Sequence, residues 1–307
     1  MIKLAKKSKK QQKNSEKKEN FIVKTYREKY KALLIIPAVL LLLSLVIIGN
    51  TYVQTGDFFK KGITLSGGIT ITLIDSDISS DQTRELLRAE YPDNEINVRS
   101  LRDAGRQVGI AVESNLLPED DVSQDFIDRV LSLSPDAESN VETVGASLGD
   151  AFFRQTALAV LVAFLFMGIV VYMYFRTFVP SFAVILAAFS NIVMTVAFLN
   201  LIDFSIGTAG IAALLMLIGY SVDTDILLTT RLLKEDDGSV FERLIGALKT
   251  GLTMSVSTLS AAIITFIVAE SQVLMEIIFI VIVGLIFDQI NTWIQNAGML
   301  RWHLNDK

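Results

Sequence analysis

The chain has no cysteine, one histidine, five prolines and two tryptophans in 307 residues. Without cysteine there is no disulfide, no thiolate nucleophile and no Cys-based zinc or iron–sulfur site. The lone His303 sits near the end of the sequence, which excludes a His-based triad in the membrane core and a multi-histidine metal centre. No G-x-x-x-x-G-K-[ST] string occurs, so a Walker-type nucleotide site is absent. No catalytic residue, metal ligand or cofactor is expected, and the chain is not expected to be an enzyme. Charge is unevenly scarce. Charged residues make up 20% of the sequence and apolar ones 51%, and stretches of roughly 20 residues carry no charge at all. Such stretches exclude a soluble globular protein and indicate several membrane-spanning helices.

Residues 1–31 are Lys-rich and low in complexity, with 12 Lys+Arg against 3 Glu. A segment this polar cannot bury a core of its own. The uncharged run 32–49 is longer than a signal-peptide core, and no small-residue cleavage pattern follows it at Asn50-Thr51-Tyr52. It is the first predicted span, bounded at 32–50. Five more are predicted at 157–175, 179–199, 206–227, 250–269 and 273–294, within a membrane region covering 154–298. Arg176, Thr177 and Pro180 separate spans two and three. Asp203 marks the next turn, and Glu270 with Gln272 the last. Residues 231–249 should form a segment between spans four and five whose second half is an amphipathic helix, and 299–307 a terminal tail.

Basic residues set the expected orientation. The tail, Arg176, the group Arg231, Lys234, Arg243 and Lys249, and the pair Arg301 and Lys307 all fall on one side. The opposite turns carry only Asp203 and Glu270. Both termini are therefore expected in the cytoplasm of a multi-pass plasma-membrane protein, with residues 51–153 outside. This external segment holds 8 Lys+Arg against 19 Asp+Glu. Residues 69–74 alternate as a strand, 80–90 are helical with Ser80 or Asp81 as N-cap, and 95–101 with 107–112 form a hairpin about Asp103-Ala104-Gly105. A second helix at 119–133 and a strand at 140–144 complete the order β-α-β-β-α-β, the ferredoxin-like split βαβ arrangement. The expected fold is thus a polytopic α-helical membrane protein of six spans with a small external α+β domain between spans one and two.

An ionisable residue inside a span is costly and marks a functional candidate. Asp223 and Asp225 in span four and Asp288 in span six qualify. Asp223 is expected deep in the bilayer, on a different face from Asp225, which is placed nearer the interface and more hydrated. In span five, Thr250, Thr253, Ser257 and Ser260 share one helical face, either as contacts that glue helices or as a polar lining opposite Asp223. Asp288, Asn291 and Gln295 form a stripe on span six, as a helix contact, a partner interface or part of an ion path. Asn191 in span three fits a structural hydrogen bond.

Three strings carry a family resemblance. Residues 62–68 (GITLSGG) are similar to the G-I-D-F-x-G-G string after the first span of SecF, a membrane subunit of the protein-export machinery. Residues 144–149 (VGASLG) with Arg154-Gln155 resemble its V-G-P…-R-x-[QA] entry to span two. Residues 218–225 (IGYSVDTD), closed by Arg231, resemble its I-G-Y-S-x-N-D-[TS]…-D-R signature, carried here by Gly219, Tyr220, Ser221, Asp223 and Arg231. Residues 288–298 resemble archaeal members. The resemblance covers about residues 32–300 and implies half of a resistance-nodulation-division type transporter. It implies action with a SecD subunit beside a SecYEG-type channel on an unfolded translocating polypeptide, driven by an ion or proton gradient through intramembrane carboxylates. The ion-path candidates are then Asp223, Asp225, Thr253, Ser257 and Asp288.

Three positions depart from the bacterial pattern. The bacterial aspartate position holds Thr224, the arginine near the start of span five is replaced by Thr253, and the span-three His-Asp pair is Ser190-Asn191. Two other readings stand beside this one: a half-transporter of the same superfamily with another substrate, and a non-transporting scaffold of the translocon. The basic tail is a topology signal, with anionic lipid or ribosomal RNA as its other conceivable contacts. No specific nucleic acid is expected as a partner.

Overall fold

The computed structural model describes residues 26–103, 106–235, 238–269 and 271–305. Most of the basic tail, the hairpin tip Ala104-Gly105, Glu270 and Lys307 lie outside the described residues. Six helices are long and apolar enough to cross a membrane. They are α1 (Ile35–Thr55), α4 (Ala146–Phe175), α5 (Phe178–Leu201), α6 (Thr208–Lys234), α7 (Val240–Val268) and α8 (Gln272–Ile290). The last continues through a π-helical segment, Asn291–Asn296, into α9 (Ala297–Asn305). Between α1 and α4 lie β1 (Gly68–Ile74), α2 (Ser80–Glu90), β2 (Ile96–Asp103), β3 (Arg106–Ser114), α3 (Ser123–Leu133) and β4 (Glu138–Val144).

The four strands form an antiparallel sheet in the order β2-β3-β1-β4, the split βαβ arrangement. Strand alternation explains its core. Ile69, Ile71 and Leu73 of β1 point to one face, where they meet Val98, Ile110, Val112, Leu87 and Phe126. Arg129 of α3 clamps Glu90 of α2 through two 2.7 Å bonds. β4 is an exposed edge bearing Glu138 and Glu142, charges that discourage further strand pairing.

Several boundaries differ from the sequence expectation for local reasons. Ser79 occupies the N-cap of α2, one residue before the predicted pair. α3 starts at Ser123 because a turn precedes it, in which Leu117 N donates to Asp120 Oδ2 at 2.8 Å. The segment 231–249 is not a separate element. Residues 231–234 end α6, and residues 240–249, the expected helical half, are the first turns of α7, started by a reciprocal capping box between Ser239 and Glu242. Residues 299–305 belong to α9 and are held in place: Arg301 donates to the carbonyls of Tyr26 and Arg27 at 2.7 and 2.9 Å.

α5 and α6 form the centre of the helical layer. Their most apolar stretches are 67% and 56% buried, against 11% for those of α1, α4 and α7, whose broad exposed apolar faces suit lipid. At thirty residues, α4 is about 45 Å long, longer than the ~30 Å hydrocarbon layer. Its first turns therefore stand among the α/β residues. There the two glycine strings pack together. A Cβ on Gly149 would sit 2.6 Å from Gly67 N, while Gly67 itself has φ +82°. Gly62 N donates to Ile206 O at 2.9 Å and Ile206 N to Lys60 O at 2.8 Å, so this segment also grips the α5–α6 turn.

Gly149→Val should lower the thermal unfolding midpoint in detergent by the equivalent of about 1–3 kcal/mol, the usual cost of overpacking. Gly246→Ala, inside α7 where a Cβ meets nothing within 4 Å, should raise it by the equivalent of about 0.5–1 kcal/mol. Equal midpoints for the two variants would show that the glycine contact is not tight.

Candidate functional site

α6 is amphipathic in an apolar sense. Leu214, Leu217, Ser221, Asp225, Leu228 and Leu232 recur at three- and four-residue spacing and are buried, forming one inward stripe. A residue two positions from Asp225 is rotated by about 200°. Asp223 therefore points outward. It is exposed, with no hydrogen bond or ion pair among the described residues, whereas Asp225 is completely buried. Asp225 is therefore not the more hydrated of the two as expected: helix rotation buries it and turns Asp223 outward.

Asp225 meets the polar face of α8 and the π-helical segment. Asn296 Nδ2 donates to Asp225 Oδ1 at 2.8 Å, while Asp225 Oδ2 has no hydrogen-bond partner. Asp288 is also fully buried and near enough to Asp225 to repel it. Thr292 reaches both carboxyls and lies 3.5 Å from Asp288 Oδ1; Asp288 Oδ2 is unpartnered. α5 closes the far wall. Gln295 Nε2 donates to Ser190 Oγ at 3.1 Å, and Asn291 Nδ2 contacts Met194 Sδ at 3.6 Å. The carboxamide oxygens of Asn191, Asn291 and Asn296 have no donor. Ser221 of α6 also reaches Asp288. Five of these buried carboxyl and carboxamide oxygens are thus without a donor, and among the described residues neither aspartate has a basic residue beside it. Among the described residues, no group of three or more His, Cys, Asp or Glu side chains is placed to hold a metal ion.

The π segment is what brings so many polar side chains inward. A widened turn lets Asn291, Thr292, Gln295 and Asn296 all be buried together, a distortion found often at functional sites. Its Trp293 carbonyl accepts from Tyr26 Oη at 2.5 Å. Burial pushes the Tyr26 phenol up to about 12, so it stays a donor. The Trp293 indole fits only because residue 251 is glycine, where a Cβ would lie 2.2 Å from the ring. Trp293 Nε1 donates to Gln289, and Gln289 Nε2 to Ser255 Oγ at 2.9 Å. Tyr220 Oη reaches the same Ser255 at 3.3 Å.

The structure therefore brings Asp225 and Asp288 to the polar face that carries Asn291 and Gln295, while Asn191 is buried on α5. It leaves Asp223, Thr253, Ser257 and Ser260 exposed. Thr253 Oγ1 donates back to its own helix at Lys249 O, 2.8 Å away, so the expected lining opposite Asp223 is not formed within this chain. Ser255 is the α7 hydroxyl that packs inward. In the family string, Gly219 is exposed, Tyr220 half-buried and Ser221 buried, while Arg231 forms a 3.5 Å ion pair with Glu235. Asn296 and Glu276 were missed by sequence reasoning, although Glu276 is an ionisable residue inside span six. Its carboxylate accepts from Gly207 N, the N-cap residue of α6, at 2.7 Å.

Residues 128–306 match the family model described as protein export membrane protein SecD/SecF, C-terminal. The chain is 38% identical to the protein-export membrane protein SecF of Pyrococcus furiosus over 274 residues, 89% of this chain and 91% of the relative. It is 39% identical to that of Methanolacinia petrolearia over 277 residues, 89% and 94% of the two chains. Among solved structures it resembles SecDF of Thermus thermophilus, a translocon-associated membrane protein, with TM-score 0.68 and 21% identity. That match covers 93% of this chain and 39% of the SecDF chain, so this chain spans well under half of the larger protein.

Asn296→Ala removes the 2.8 Å donor to a buried carboxyl and should destabilise the protein by about 1–3 kcal/mol. Asp223→Asn, at an exposed position, should change stability by no more than about 0.5 kcal/mol. Thermal unfolding in detergent compares the two, and equal midpoints would contradict the burial assignment.

Proposed function

Because this chain belongs to the SecF family of protein-export membrane proteins, we propose that it acts with a SecD-like chain beside a SecYEG-type channel and uses an ion or proton gradient to promote export. Its family makes it a multi-pass membrane subunit of the export machinery. The observation that supports ion coupling is the pair Asp225 and Asp288, buried between spans without a counter-cation. Two adjacent carboxyls in hydrocarbon are stable only when a proton or a bound cation offsets their charge. A site that must take up a cation to be stable is suited to carrying one across the membrane. Of the sequence candidates, Asp225 and Asp288 are therefore the proposed ion site.

Asp223 is assigned a different task. An exposed aspartate on a span is expensive against lipid, and the neighbouring helix α7 exposes Thr253, Ser257 and Ser260. This reading places the SecD-like partner on the α6–α7 surface, with hydrogen-bond donors or a cation facing Asp223. The basic segments support an orientation with both termini in the cytoplasm and the α/β domain outside, where it meets the unfolded polypeptide. Lipid covers α1 and α4.

Three outcomes follow. Asp225→Asn and Asp288→Asn should each slow export of a reporter at least tenfold while the complex still assembles, and normal export by the double variant would remove the ion path. Asp223→Asn should weaken recovery of the six-span partner in a mild-detergent pull-down. Unchanged recovery would move the partner to another face. In this cysteine-free chain, Ser132→Cys should react with a membrane-impermeant maleimide added to intact cells, and labelling only after lysis would invert the topology.

A further inference from the structure

The α/β domain and the spans face each other across a small cavity, with Arg99 on one wall and Glu276 on the other, a pairing that the export reading leaves unused. Val98 points into the domain core, so its neighbour Arg99 points to the opposite sheet face, toward the membrane helices. Arg99 pairs with Glu113 of β3. Its Nε is buried without a hydrogen-bond partner. Together with Leu101, Arg99 lines a cavity of 270 Å³ whose other wall includes Phe204, Phe266, Glu276 and Phe279 from the spans. Burial lowers the affinity of the Arg99 guanidinium for its proton, and the Glu276 carboxylate opposes that effect.

Glu276 faces the other way as well. It accepts from Gly207 N at 2.7 Å and lies against the N–H of Gly210. A Cβ on Gly210 would sit 2.6 Å from Glu276 Oε1, so the missing side chain is what admits the carboxylate. Thr64 Oγ1 accepts from Thr208 N at 3.0 Å. The orphan amides of α6's first turn are therefore satisfied from outside the helix, the strongest of them by a charge-assisted bond at the positive end of the helix dipole. The same helix carries Asp225 eighteen residues after Gly207, about 27 Å along its axis.

We propose that Glu276 is a positioning residue linking the α/β domain to the helix that carries Asp225: the Arg99 guanidinium, facing it across the cavity, keeps the carboxylate over the first turn of α6, and without that guanidinium the carboxylate leaves and the turn loosens. The direction follows from desolvation. A half-buried carboxylate deprived of its guanidinium is drawn toward water, and the amides it capped lose their acceptor. This inference rests on the reading of the chain as an export subunit in which Asp225 belongs to the ion site.

Amide hydrogen exchange of the intact chain in lipid nanodiscs tests it without any export assay, so its failure is separable from failure of the export reading. Glu276→Gln should speed exchange at residues 207–211 several-fold. Arg99→Gln, on the other domain, should speed the same amides by a comparable factor, and Arg99→Lys should keep them protected. Arg129→Gln, which breaks only the α2–α3 clamp, should leave them unchanged. Protection in the middle of α5 should stay at the wild-type level throughout. Wild-type exchange at 207–211 in Arg99→Gln, with acceleration in Glu276→Gln, would overturn the link. Loss of protection across the whole chain in Arg99→Gln would also overturn it, because Arg99 would then be a general structural residue.

Discussion

The structure is organised around a set of buried carboxyl and carboxamide oxygens that lack donors within an apolar helical layer. Helices satisfy their own backbones in hydrocarbon, so spans are free to be apolar. This chain instead buries Asp225, Asp288, Asn291 and Asn296 in one seam, with Asn191 buried on α5, and leaves a carboxyl or carboxamide oxygen on each of the five without a donor. Such an arrangement is costly in a scaffold that only has to stay folded. It becomes economical when a cation arrives to satisfy several oxygens at once. The π-helical segment, the Tyr26 hydroxyl on the Trp293 carbonyl, and Gly251 beneath the Trp293 ring are the supports that hold the polar face of the last span in this position.

The opposite end of the helical layer is organised by close backbone approach. Gly67 and Gly149 bring the entry to α4 against the exit from α1, and residues 60–62 grip the turn before α6. These contacts fix the start of α6, and Glu276 and Thr64 cap it. One helix consequently has its first turn at the α/β domain and Asp225 deep in the polar seam. The short glycine strings and the span-four string, far apart in sequence, thus describe neighbouring parts of a single device.

Much of this was legible beforehand. Six spans follow from uncharged runs, and the β-α-β-β-α-β order from alternation and turn chemistry, because both depend on local periodicity. The roles of Asp223 and Asp225 were not legible from depth along the helix. Which of two residues faces inward depends on what α5 and α8 offer as neighbours, and that is tertiary information. The hydroxyl stripe on α7 was visible, but the hydroxyl that packs inward is Ser255, which lies outside that stripe, for the same reason. The π segment has no local signal, since its extra turn width is stabilised by Tyr26 across 267 residues of sequence. Glu276 was legible in principle as an ionisable residue within a span.

The central claim is that the Asp225–Asp288 pair takes up the transported proton or cation. The most direct measurement is ion movement itself: an imposed pH or sodium gradient across proteoliposomes containing the purified chain with its SecD-like partner, read with a dye in the lumen. The account predicts gradient dissipation above that of empty vesicles, abolished by the Asp225→Asn/Asp288→Asn double variant while the complex remains intact. Dissipation at the same rate in the double variant would contradict it.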